Sequence, residues 1–131
     1  MTEVMKERDF VQEVLQNFKE DYSSLADPTY CSINVGFGSL ERGINTVHDN
    51  HSIKIDHHND LYFERIDGII KRFIQMSSVP SMKGRRSMDH SNITVVISIL
   101  NNSNRYSGRI YELQLQKDGS LLLIDVVKRN N

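Results

Sequence analysis

The chain has too few cysteines for a disulfide scaffold and too few prolines to be typical of a disordered protein. It contains a single cysteine, Cys31, so no internal disulfide can form, which is consistent with a reducing compartment. Proline occurs twice, whereas hydrophobic residues make up 38% and charged residues 25% of the chain, as in ordered globular proteins. Its 131 residues are the length of one domain, so we expect residues 1–131 to form a single unit.

Long apolar segments and familiar catalytic motifs are also missing. No apolar run approaches the length of a membrane span, and charged residues among the first nine positions exclude the apolar region of a secretory signal there. The sequence contains no nucleotide-binding loop, catalytic triad or known metal-ligand spacing. These absences predict a cytoplasmic protein that makes no membrane contact and binds no cofactor.

The net charge of −1 conceals an uneven distribution of charge. Residues 1–27 hold seven acids and three bases, whereas residues 65–90 hold six bases and two acids. Such a distribution can orient the encounter with a charged partner. The near-neutral total argues against a protein that binds nucleic acid through bulk charge.

The clearest strand is Arg109–Gln116, in which apolar and polar residues alternate. Asp118 and Gly119 follow it between two apolar runs and predict a two-residue hairpin turn. Together with a strand at Asn92–Leu100, they predict a three-stranded antiparallel meander at the end of the chain. The turn sets a register that places three apolar pairs on one face: Tyr111 with Val126, Leu113 with Ile124, and Leu115 with Leu122.

Apolar residues at helical spacing predict two amphipathic helices, at about Glu7–Leu25 and Asp60–Met76. With a strand around Ile33 and a hairpin between the helices, the chain has an α+β pattern. In this pattern both helices pack on a curved antiparallel sheet.

The predicted order of elements is similar to that of the NTF2-like architecture, whose chains also finish in a strand that follows a turn glycine, here Gly119. This resemblance implies a pocket and dimerisation through the sheet, but no activity. A cystatin-like fold matches less well because it has one helix.

Segment 44–57 is predicted to form the central hairpin around Asp49 and Asn50. In this hairpin two histidines face each other about 5 Å apart across the ladder and a third lies further along the same face: His48, His51 and His57. Imidazoles at that separation can share a metal ion, and a third ligand would complete a zinc site. The stronger interpretation is a solvated hairpin tip, because polar residues collect at such tips.

Residues 77–91 have no helical or strand period and predict a long loop, which in a compact domain is usually functional or disordered. The loop and the preceding helix contain five basic residues that can bind phosphate or an acidic protein surface: Lys71, Arg72, Lys83, Arg85 and Arg86. The loop lacks aromatic residues for base stacking, which favours an acidic protein partner over nucleic acid. The simpler alternative is a loop that is only solvated.

The polar face of the last hairpin mixes charged and apolar residues: Glu112, Gln114, Leu121, Leu123 and Asp125. Such a mixture suits a subunit interface better than open water, so we expect a homodimer. Paired carboxylates such as Glu112 and Asp125 can act as acid and base, but neutralisation by Arg109 or Lys128 is the simpler interpretation. Cys31 is in phase with apolar residues, so we expect a buried thiol rather than a nucleophile.

These patterns favour a small intracellular, non-enzymatic interaction protein, such as an inhibitor or accessory factor of a phage or mobile element, that binds a macromolecular partner. The alternative is an NTF2-like small-molecule pocket protein or enzyme, with a cavity between the sheet and the second helix. A side chain of His57, Tyr62 or Tyr111 that points into a cavity would favour this alternative.

Overall fold

Two helices pack on one face of an antiparallel sheet in the computed structural model, which confirms the predicted α+β class. The structure describes residues 3–39, 43–55, 61–78 and 92–131, and the side chains of residues 3–36, 51–55, 63–72, 74–75 and 92–131. Within these residues the elements are β1 (Glu3–Met5), α1 (Glu7–Ser24), β2 (Pro28–Ser39), β3 (Gly43–Lys54), α2 (Leu61–Ser78), β4 (Asn92–Asn101), β5 (Tyr106–Leu115) and β6 (Leu121–Asn130).

The sheet has the strand order β1-β6-β5-β4-β2-β3, and every described pair is antiparallel. The adjacent strands β4, β5 and β6 confirm the predicted meander. Strand β1, which the sequence did not predict, pairs with β6, and β3 forms the opposite edge.

The core lies between the sheet and the two helices. Helix α1 contributes Phe10, Val14 and Phe18, which recur every four residues and therefore lie on one side of the helix. The buried apolar side chains of the strands alternate along the sequence, so they lie on the face that contacts the helices. Of the two described helices, neither is long and apolar enough to cross a membrane.

The turn between β5 and β6 differs from the predicted two-residue turn. The amide of Gln116 donates to the carbonyl of Ser120 at 2.8 Å, which leaves three residues in the loop. Gly119 closes this loop with φ +88°, a conformation that glycine adopts without a steric penalty. The result is the three-residue hairpin loop that ends in a left-handed glycine.

The longer loop shifts the predicted register by one residue near the turn. Leu113 pairs with Leu123 instead of Ile124, and Leu115 pairs with Leu121 instead of Leu122. A β-bulge at Ile124 then restores the predicted pairs further from the turn: Glu112 with Asp125 and Tyr111 with Val126. Leu121 and Leu123 are therefore the buried residues of β6, whereas Leu122 and Ile124 are half-buried.

The predicted hairpin around Asp49 and Asn50 is wrong. Both residues lie within β3, which pairs along its length with β2, and Asp49 is the partner of Val35. The β2–β3 connection instead lies between Ser39 and Gly43. Helix α2 begins at Leu61 and extends to Ser78, past the predicted end at Met76, whereas the rest of the predicted loop, residues 79–91, lies outside the described residues.

Candidate functional site

The face of the sheet that points away from the helices carries the candidate site. We call it the outer face, and it consists of the side chains that alternate with the core residues on β2, β4, β5 and β6. Among the described residues, neither helix contributes to this side of the sheet, because their buried apolar residues all belong to the cluster on the opposite side.

An apolar row crosses the middle of the outer face. The register aligns Val96 on β4 with Ile110 on β5 and Val127 on β6. All three side chains are half-buried, and none belongs to the core cluster or packs against it. Two further apolar side chains are more exposed at the margins of this face: Val4 at 63% and Tyr30 at 40%. The outer face therefore carries apolar surface that the core of this chain does not cover.

Charges of opposite sign lie on the two sides of the apolar row. On one side Glu112 pairs with Asp125, and on the other Gly108 pairs with Arg129. Asp125 and Arg129 are exposed, whereas Glu112 is 8% exposed and accepts a hydrogen bond of 3.3 Å from Asn92 Nδ2. The outer face therefore has an acidic end and a basic end.

Only part of the predicted interface lies on this face. Glu112, Gln114 and Asp125 are there, but Leu121 and Leu123 are 0% and 2% exposed in the core. Their assignment to the polar face was wrong because it relied on the two-residue turn, and a one-residue shift in register moves each side chain to the other side of a sheet.

A buried ion cluster joins α1 to the sheet on its helix side. The carboxylate of Asp21, whose side chain is 4% exposed, accepts hydrogen bonds from Arg109 Nε at 3.1 Å and Ser107 Oγ at 3.3 Å. Lys128 Nζ lies 3.6 Å from the same carboxylate, and Glu20 accepts from Arg109 Nη2 at 3.0 Å. Arg109 and Lys128 thus pair with α1 and not with Glu112 and Asp125, contrary to the prediction.

The ion cluster has a structural role. Glu20 and Asp21 lie in the last turns of α1, where no basic residue of the helix itself offsets the negative end of the helix dipole. Arg109 and Lys128 provide that positive charge from the sheet. Sequence analysis missed this pair, although Arg109 is in phase with Tyr111 and Asp21 is in phase with Phe18, which places both on buried faces.

Cys31 and Tyr111 are also core groups. Burial raises the pKa of the Cys31 thiol to about 12 and leaves none of its surface exposed, so the side chain is a neutral hydrophobe, as predicted. Burial likewise raises the pKa of Tyr111 to about 12. The ring of Tyr111 packs edge-on against Phe10 with centroids 5.8 Å apart, and its hydroxyl accepts a hydrogen bond from Asn17 Nδ2 at 3.1 Å.

The histidines do not form the predicted arrangement. His48 and His51 lie three residues apart on the same strand and do not face each other across a ladder, because the predicted turn is part of β3. His57 lies outside the described residues. In the part of the chain that the structure describes, no group of three or more histidine, cysteine or acidic residues is placed to hold a metal ion.

Two of the five predicted partner-binding residues, Lys71 and Arg72, lie exposed on α2. Lys71 Nζ forms an ion pair of 3.3 Å with Asp67 one turn earlier. The other three lie outside the described residues: Lys83, Arg85 and Arg86. Comparison with protein-family models, with curated proteins and with solved structures found no match for this chain.

Proposed function

We propose that the protein is a non-enzymatic interaction module that forms a homodimer through its outer face and, as a dimer, binds a macromolecular partner. The observation that carries this proposal is the half-buried apolar row of Val96, Ile110 and Val127, which lies outside the core. A row of this kind loses unfavourable contact with water when another apolar surface covers it.

The charges beside the row favour a second copy as the occupant of this face. A two-fold axis along the row, between two stacked sheets, would place the row against itself. Because Asp125 and Arg129 lie on opposite sides of Val127, the same axis would place Asp125 of each copy against Arg129 of the other. It would also place Glu112 against Gly108, which has no charged side chain to oppose it.

A charge exchange tests this dimer. We expect sedimentation equilibrium at about 50 µM, a concentration that detects interfaces of micromolar affinity, to show a dimer. Asp125→Arg and Arg129→Asp should each weaken it at least about tenfold, since like charges then face each other. The double variant should restore the dimer because the opposite charges meet again.

Lys117→Asp is the matched control, because it makes the same change in charge as Arg129→Asp at an exposed position in the hairpin loop. It should leave the dimer unchanged. A wild-type protein that is monomeric at this concentration would contradict the proposal, and so would a double variant that stays as weak as the single ones.

The partner of the dimer is proposed to be a protein with an acidic surface, in keeping with the basic residues of α2 and residues 83–86. An inhibitor or accessory factor of a phage or mobile element would have such a partner. A pull-down from the native host should recover a stoichiometric partner that is lost at high salt and with Lys83, Arg85 and Arg86 replaced by alanine. Full binding by this triple variant would exclude these three residues as the contact.

The alternative of a small-molecule pocket protein loses one of its three diagnostic residues. Tyr111 is 1% exposed and packs in the core, so it does not line an accessible cavity. The side chains of His57 and Tyr62 lie outside the described set.

A further inference from the structure

A cleft between α2 and β3 carries positive charge and lies apart from the outer face. It has a volume of about 370 Å³, within the range of ligand pockets, and the described residues that line it are His51, Arg65, Gly68, Ile69 and Arg72. The four helical residues are spaced by three, one and three positions, so they occupy one side of α2. His51 lines the cleft from β3.

The two arginines of the cleft form no ion pair with any residue that the structure describes. Among the described residues, neither Arg65 nor Arg72 has a carboxylate partner, whereas Lys71 between them in sequence is paired with Asp67. Both arginine side chains are exposed. The cleft therefore presents two guanidinium groups, each of which can donate two parallel hydrogen bonds to one oxyanion.

Gly68 lies between the two arginines at the cleft. A glycine inside a helix costs about 1 kcal/mol of stability relative to alanine. Packing does not require it, because a Cβ at this position would have no heavy atom within 4 Å. Arg65 and Arg72 are about 10 Å apart along the helix axis. Because Gly68 has no side chain, the helix surface between the two arginines stays open.

We propose that this cleft binds a phosphate group, held between Arg65 and Arg72 above Gly68. The fork of a guanidinium matches the geometry of two phosphate oxygens, and two forks together balance the charge of a dianion. This site is distinct from the dimer interface proposed above, because its described residues lie on α2 and on the helix side of β3.

Titration with inorganic phosphate, followed by calorimetry and by amide chemical shifts of α2, tests the site. Arg65→Gln and Arg72→Gln should each weaken binding about tenfold or more, as expected when a charge-assisted contact is lost. Lys71→Gln is the matched control, with the same loss of charge on the same helix, and should change binding less than about twofold because of screening.

Gly68→Leu separates binding from folding. Leucine favours the helix, so the urea midpoint should not fall, whereas phosphate binding should be lost because the side chain fills the space between the arginines. If Gly68→Leu binds phosphate like the wild type, the proposed position of the anion is wrong.

Titrations with other anions identify the source of the phosphate group and test the specificity of the cleft. Glycerol phosphate and a nucleoside monophosphate, each compared with inorganic phosphate, show whether the group is free or esterified. Malonate provides two carboxylates of similar charge. Equal binding of malonate, or equal binding by the Arg65→Gln, Arg72→Gln and Lys71→Gln variants, would overturn the assignment of a phosphate site.

Discussion

The two carboxylates on Arg109 provide a direct test of how burial sets the strength of an ion pair. Asp21 and Glu20 accept hydrogen bonds from the same guanidinium at 3.1 Å and 3.0 Å, but their side chains are 4% and 58% exposed. Glu20→Gln should therefore cost less than about 1 kcal/mol, the usual value for an exposed pair. Asp21→Asn should cost about 3 kcal/mol or more, since it removes the buried charge and leaves half-buried Arg109 without its counter-ion there.

Urea unfolding followed by far-UV circular dichroism measures both losses. The loss in Asp21→Asn should persist at 1 M NaCl, because a buried pair is poorly screened, whereas the smaller loss in Glu20→Gln should disappear. Asp21→Asn combined with Arg109→Gln should be less destabilised than the sum of the single variants, since both charges are gone. Equal losses for Asp21→Asn and Glu20→Gln would refute the argument that burial decides the strength of this pair.

Two further predictions concern alkaline pH and the glycines of the last hairpin. Burial raises the pKa values of Cys31 and Tyr111 from 9.0 and 10.0 in the unfolded chain to about 12 in the folded one. Their contribution to stability is complete below the unfolded pKa values and is lost as the pH rises to about 12. The loss is about 4 kcal/mol for Cys31 and about 3 kcal/mol for Tyr111, at 1.36 kcal/mol per pKa unit. The urea midpoint of unfolding should fall over this pH range, and in Cys31→Ala the fall should begin at a higher pH because only Tyr111 remains to titrate. An unchanged midpoint at pH 11 would contradict the buried placement of these side chains. Gly108→Ala should prevent folding, because its Cβ would overlap the carbonyl oxygen of Ile97 and lie 2.8 Å from Ser98 Cα. Gly119→Ala has open space and should cost only about 1 kcal/mol for its positive φ; similar thermal midpoints for the two variants would show that the close approach at Gly108 is not limiting.

The periodic parts of the sequence predicted their structure well. The two helices were predicted within two residues wherever their ends are described, because their apolar residues repeat at helical spacing. The meander was predicted because apolar and polar residues alternate strongly in β5. Each of these patterns lies within a single helix or strand, so the sequence alone is enough to predict that element.

The register of β6 could not be predicted in the same way. Leu121–Ile124 is apolar at four successive positions, so either alternate pair can face the core, and Asp118-Gly119 is compatible with a loop of two or of three residues. Packing against the rest of the core selects Leu121 and Leu123, and no local pattern reveals this choice.

The polar segment His48–His51 was predicted as a turn because turns are usually polar. It is instead part of an edge strand, where polar residues are tolerated because an edge has one neighbour and is exposed to water. The candidate sites were predicted only in part, because only one of them depends on a local sequence pattern. The acidic end of the outer face follows from strand alternation, whereas the cleft depends on how α2 lies against β3.

The bulge at Ile124 also determines where this chain tolerates a change in its length. The register differs by one residue on the two sides of Leu121–Ile124, so deletion of one residue from this apolar run would turn the two registers into one. Every residue from Asp125 onward would keep its face, and both core positions of β6 would still hold an apolar side chain. A deletion after Val126 would instead bring Arg129 opposite Arg109 on the helix side, next to the buried ion cluster. Natural length variation in this hairpin is thus expected at the bulge and excluded beyond it.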